Sequence, residues 1–217
     1  PETPEYVTYK YTIDGENNEC TISYSEDEKN YTDMVKYTPS EMPDMLTSVS
    51  IGSTLGMSYA IDYVKVKRTN AAYYIGFGDE SVPAGITSTN SQPDRYPLTL
   101  AIEDDEKAND GKSMTCKGNG IFSGTATVTI PFREKVETGD SKIEVIARIK
   151  PIYLFGTTAS TGTSQKYFYE RFMQINGTKG GNGSNLYSIY NASWTNSVYL
   201  LDWKTRLDKY YSVLWGK

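Results

Sequence analysis

Histidine is absent from the 217 residues. Its absence removes the commonest general base and the commonest neutral metal ligand near pH 7, so a Ser-His-Asp or Cys-His catalytic arrangement and any histidine-containing zinc site are excluded. Cysteine is scarce too: Cys20 and Cys116 stand far apart and outside any CxxC spacing. They read either as one disulfide or as two free thiols, with the shortage of bridges favouring free thiols. Long apolar runs are also missing. No stretch approaches the ~20 apolar residues of a transmembrane helix and no basic-plus-apolar leader opens the chain, so membrane insertion is not expected and the piece reads as soluble. The chain opens on Pro1, which reads as a processed product or a fragment. Clustered positive charge is lacking as well. The 22 Lys and Arg are scattered among 27 Asp and Glu, for a net charge of −5, whereas binding a phosphate backbone needs a basic stripe. Nucleic acid is therefore not an expected partner.

What the chain does have is aromatic. It carries 19 tyrosines within a hydrophobic share of 38%, enough apolar surface to offset chain entropy and exclude wholesale disorder. Period-two alternation recurs. In EYVTYKYTID, Val7, Tyr9, Tyr11 and Ile13 share one face, and ECTISYSEDE repeats the pattern after the turn signal Asp14-Gly15, which predicts a hairpin. Residues 26–45 lack a period and carry Pro39 and Pro43, so they read as connector. MSYAIDYVKVKRT predicts a long strand in which the apolar face switches near its end, as a β-bulge would require. PLTLAIE, the Thr125/Thr127/Thr129 alternation and SKIEVIARIKPIYLFG give further strands, while residues 79–95 read as a long loop.

After Gly156 follow a Thr/Ser/Gly loop and the strand candidates QKYFYERFMQI, LYSIYNASW and SVYLLDW. In the tail, Leu200, Trp203, Leu207, Tyr210 and Leu214 recur at helical spacing, which suggests one short terminal helix. Many short strands between Gly, Pro and Asn turns predict an all-β chain, an antiparallel β-sandwich or barrel, of which the sandwich is the expectation carried forward. The expected organisation is an N-terminal hairpin arm and connector over residues 1–46, an Ig-like β-sandwich over 47–158 and a small C-terminal β-rich unit over 159–217. IKPIYLFGTTAS, from Ile149 to Ser160, marks the seam between the last two: Pro151 edges the ladder, Tyr153 and Phe155 cap the core, and Gly156 turns the backbone away.

Motifs with chemistry are few. Asp104, Asp105, Glu106, Asn109 and Asp110 supply oxygen ligands close in sequence, but their spacing fails the calcium-loop template, so a solvated turn is the favoured reading and no metal is expected. Gly76 and Gly78 in IGFGDESVPAG lack the third glycine or the Gly-Lys-Ser/Thr of a phosphate loop; they read as a bulge or turn beside bulky tyrosines. No cofactor follows from the sequence. Asn30, Asn176, Asn182 and Asn191 match the glycosylation acceptor pattern, and the Asn-Gly pairs among them also read as turn formers. No carboxylate pair is singled out, so no catalytic residue is assigned and the chain is not expected to be an enzyme. Tyr167, Tyr169, Tyr187, Tyr190 and Trp194 are the candidate contacts for a partner or a glycan, since Tyr and Trp supply rigid contact area and stacking faces. Sheet packing is the competing role for the same residues.

Two phrases carry a resemblance. SVSIGSTLGMSYAIDY opens a strand-rich segment that closes with IEVIARIKPIYLFGTTAS, and this order resembles the β-sandwich modules of tailed-phage structural proteins of tail-fibre, tail-tip and head-appendage type. Such modules often begin with an IGST-like phrase and leave the sandwich through an aromatic pair followed by Gly-Thr or Gly-Val; here Leu154 stands between the aromatics. The likeness spans Ser48 to Lys217. It implies an architectural virion part that associates with copies of itself or other virion proteins, without cofactor or catalytic residues. The alternative is a secreted or cell-surface carbohydrate-binding adhesin module of a bacterium, with Gln165 to Trp194 forming an aromatic platform toward a surface glycan.

Overall fold

The computed structural model describes residues 6–39, 42–54, 57–68, 71–95, 97–118, 125–139, 142–154 and 173–180. Twelve strands and no helix are found among them. The chain is an antiparallel, sandwich-like pair of sheets. The larger sheet runs β3 (Thr32–Tyr37), β2 (Glu19–Ser25), β1 (Val7–Asp14), β11 (Lys142–Leu154), β5 (Met57–Arg68), β9 (Lys112–Gly118) and β8 (Leu98–Asp104), with β6 (Ala71–Gly76) also paired to β5. The smaller runs β12 (Met173–Thr178), β4 (Met45–Thr54), β10 (Thr125–Glu137) and β7 (Thr87–Asn90).

Alternation builds the core between them. Val7, Tyr9, Tyr11 and Ile13 of β1 and Ile143, Val145, Ala147 and Ile149 of β11 all turn inward, with Val49, Ile51, Val128 and Ile130 facing them from the smaller sheet. Two tyrosine hydroxyls cross the gap. Tyr11 donates to the Met173 carbonyl at 3.3 Å and Tyr59 to the Ile51 carbonyl at 3.2 Å, so each phenol packs as an aromatic and finds a partner for its polar end.

The hairpin expected at the N-terminus forms, and β1 is also paired along its whole length with β11, from Val7 opposite Ile149 to Asp14 opposite Lys142. It is thus continuous with the larger sheet. The face switch in β5 is real but sits mid-strand: Tyr59 and Ile61 point into the core, then Val64 and Val66 do. Arg148 pairs with Tyr63 and Ile149 with Ile61, leaving Asp62 as the extra residue of a bulge. The sheet forks at that residue, because β9 pairs with Ser58 to Ile61 and β6 with Tyr63 to Arg68.

Two stretches read as connector or loop contain strands. β3 lies within 26–45; the register shift opposite Ile22/Ser23 leaves Met34 unpaired and destroys the period. β7 lies within 79–95 and is entirely polar and largely exposed, so no alternation announces it. β12 falls inside the stretch assigned to the C-terminal unit and pairs with β4 of the smaller sheet. At the proposed seam, β11 carries on through Pro151 to Leu154 with a register shift between Pro151 and Tyr153. Residues 155–172 and 181–217, the terminal-helix residues among them, lie outside the described residues.

Cys20 and Cys116 are buried and are not joined in a disulfide. They sit on β2 and β9, which the order β2-β1-β11-β5-β9 separates by four strand spacings, about 19 Å at ~4.8 Å each, and a disulfide spans at most ~7 Å between Cα atoms. Burial, partly opposed by the hydrogen bond with Tyr59, pushes the Cys116 thiol up to about 11. Native protein titrated with a thiol reagent at pH 8 is expected to show no rapidly reacting cysteine, and both on denaturation. Fast reaction in the native state would mean that one of these strands opens readily.

Candidate functional site

On its outer face the larger sheet presents charge. β11 alternates Glu144, Ile146, Arg148 and Lys150 there, opposite the inward Ile143, Val145, Ala147 and Ile149. Two loops come over this face: residues 26–31 between β2 and β3, and 105–111 between β8 and β9. They bring Glu28 and Asp105 to the basic pair, and the β5 bulge supplies Asp62.

Asp62 is fully buried. Its carboxylate accepts from the Arg148 guanidinium and, at 2.9 Å, from the backbone N–H of Asn109, so the bulge residue fastens the 105–111 loop over the fork. Arg148 distributes its donors further, from Nη1 to the Lys107 carbonyl at 2.9 Å and from Nε to Glu28 at 3.0 Å. Lys150 pairs with Asp105, whose Oδ2 also accepts from the Tyr6 hydroxyl at 2.8 Å. The Tyr6 ring lies against both cations, 4.3 Å from the Arg148 guanidinium carbon and 4.7 Å from Lys150 Nζ, a cation–π arrangement strengthened by desolvation.

The neighbouring tyrosines close the edges of the cluster. Tyr63 donates to Glu28 at 2.7 Å and Tyr74 to Asp110 at 2.9 Å. Gly76 explains part of IGFG: a Cβ there would meet Asp110 Oδ2 at 2.3 Å and the Tyr74 ring at 2.4 Å. A side chain at this position would have to displace Asp110 and Tyr74, in keeping with the reading of a glycine beside bulky tyrosines.

Glu28 holds a positive φ of 63°, a backbone conformation uncommon for residues other than glycine. Its neighbour Asp27 fixes the turn by accepting from the N–H groups of Asn30 and Lys29 at 2.7 and 2.9 Å. Those bonds hold the Asp27 carboxyl well below the usual carboxylate range.

Electrostatics follow from burial and pairing. Burial raises the Asp62 carboxyl, against the opposing hydrogen bonds from Arg148 and Asn109. For Asp105 burial also acts upward, but the hydrogen bonds from Lys150, Tyr6 and the Lys107 N–H outweigh it and its carboxyl sits lower than usual. Burial and then Glu28 push the Tyr63 phenol up. Each carboxylate of the cluster thus accepts from a cation, a phenol or a backbone N–H of the same fold. The arrangement clamps two loops onto a sheet.

The acidic loop considered for calcium does not converge. Asp104 faces Lys112 at 3.5 Å, Asp105 faces Lys150, and Asp110 accepts from Tyr74. Among the described residues no three His, Cys, Asp or Glu side chains gather as a metal site would need, and no helix is long and apolar enough to cross a membrane. Tyr167, Tyr169, Tyr187, Tyr190 and Trp194, the candidate contacts, lie outside the described residues. Of the glycosylation patterns, Asn30 is exposed in the 26–31 loop, whereas Asn176 is buried and donates from Nδ2 to Ser48 and Ser50 at 2.8 Å each.

Comparison with protein-family models and with curated proteins gives no match. Of the residues brought together here, Asp105 was considered only as a calcium ligand, and Tyr6, Glu28, Asp62, Arg148 and Lys150 were not singled out by sequence reasoning. One signal was there: Asp62 stands alone in YAIDYV, and a carboxylate in an otherwise apolar strand must find a partner.

Proposed function

We propose that the chain is a non-enzymatic structural module acting through protein–protein assembly, as a tail or capsid appendage of a phage virion, with copies of itself or other virion proteins as partners. The observation that carries the reading is a contrast between the two kinds of polar surface. The charges gathered on the outer face are neutralised within the fold, while the larger sheet ends in β8, whose aliphatic side chains are only partly covered. A sheet edge offers a row of backbone donors and acceptors to another strand. The phrases IGST and YLFGT direct the reading to a virion.

Size-exclusion chromatography with light scattering, together with a glycan array, tests it. The expected result is a stable multiple of the 24.3 kDa chain and no glycan signal. A monomer that binds glycan would overturn the proposal in favour of an adhesin module on a bacterial surface.

A further inference from the structure

Among the described residues the sheets end at β3, β8, β7 and β12, with β6 a further edge beside the fork. Native proteins blunt such edges with bulges, charges, short length or a covering loop. β3 has the bulge at Met34 and carries Asp33 and Lys36. β12 has a register shift at Asn176/Gly177, and β7 is four polar residues long. β6 ends against Asp110 of the overlying loop.

β8 has none of these devices in its middle. Its seven residues pair with β9 without a register shift, and Leu98, Leu100 and Ile102 are packed against the core yet remain partly exposed. Its two acids sit together at one end, where Glu103 is paired with Lys117 and Asp104 with Lys112.

We propose that β8 pairs antiparallel with β8 of a second copy, joining two large sheets into one. This names the partner within the assembly reading above and rests on it. A two-fold axis perpendicular to the sheet keeps inward residues opposite inward residues, so the register must centre on a residue. Centring on Ala101 gives full overlap of the strand. Leu100 then faces Ile102 of the other copy, Thr99 faces Glu103 and Leu98 faces the exposed Asp104 at the strand ends, so the central pairs on the inward face are aliphatic and no like charges oppose. Centring on Glu103 would set two carboxylates against each other, which is destabilising.

The register makes a specific demand on cross-linking. Opposed Cα atoms in an antiparallel pair are ~4.5–5.5 Å apart, within disulfide range, so Ala101→Cys is expected to form a covalent dimer rapidly on mild oxidation. Thr99→Cys is expected not to, since its own copy lies four residues, about 14 Å, along the partner strand. Each reduced variant at high dilution should titrate one accessible thiol, which certifies the fold because Cys20 and Cys116 are buried. If sedimentation shows wild-type multimers but Ala101→Cys cross-links no faster than Thr99→Cys, the β8 pairing is overturned while assembly stands. If the wild type remains a monomer up to ~1 mM, the weak end of measurable association, both are overturned.

Discussion

Replacing Arg148 with methionine is expected to lower stability by about 3–5 kcal/mol, because it leaves the fully buried Asp62 carboxylate without its cation and only the Asn109 N–H as donor. The reciprocal change is milder. With Asp62→Asn the side-chain carbonyl still accepts from Asn109, and Arg148, 16% exposed, keeps Glu28 and the Lys107 carbonyl; a cost of about 1–3 kcal/mol follows. Acid should distinguish the mechanism. Burial already places the Asp62 carboxyl above its ordinary value of 3.8, so its ionisation costs stability as pH rises from that value through the raised one, and costs nothing below it. Losing Arg148 raises it further. The deficit of Arg148→Met relative to wild type is therefore largest at neutral pH and shrinks toward pH ~4. Urea unfolding at both ends of that range reads it, and a deficit that grows in acid would show that pairing with Asp62 is not what Arg148 supplies.

Tyr59→Ala should cost a similar amount, about 3–5 kcal/mol, by opening a cavity at one of the largest fully buried side chains. Tyr59→Phe separates the two roles of the residue. It keeps the ring and removes only the hydroxyl that reaches the Ile51 carbonyl across the sandwich, so about 1 kcal/mol is expected. Guanidinium unfolding with an unchanged slope would attribute both losses to the native state. Equal losses for the two variants would mean that the hydrogen bond between sheets, rather than packing, dominates at this position.

The strands that could be read from the sequence were those with a solvated face and a buried one. β1, β2, β5 and β11 alternate cleanly, and even the bulge in β5 shows as a switch of apolar parity. β7 is Thr-Ser-Thr-Asn on an edge and offers no contrast between faces. β9 contributes only Met114 and Cys116 as inward apolar residues in KSMTCKG, too short a signal between a charged turn and a glycine-rich stretch. The clamp was harder still. Spacing puts Arg148 and Lys150 on one face of β11, but their partners Glu28, Asp62 and Asp105 come from three other places in the chain. Only the fold sets those distances, and no local period encodes them.

The pairing of β1 with β11 also fixes the timetable of folding. The two strands are joined across roughly 130–140 residues of intervening chain, so a ribosome adding about 5–20 residues per second releases β11 roughly seven to thirty seconds after β1. Throughout that interval the edge of β1 that pairs with β11 stays open. Contacts so distant in sequence are closed late and slowly. The nascent chain therefore spends that interval as an unfinished sheet, and its yield depends on what shields that edge until Lys142 to Leu154 arrives.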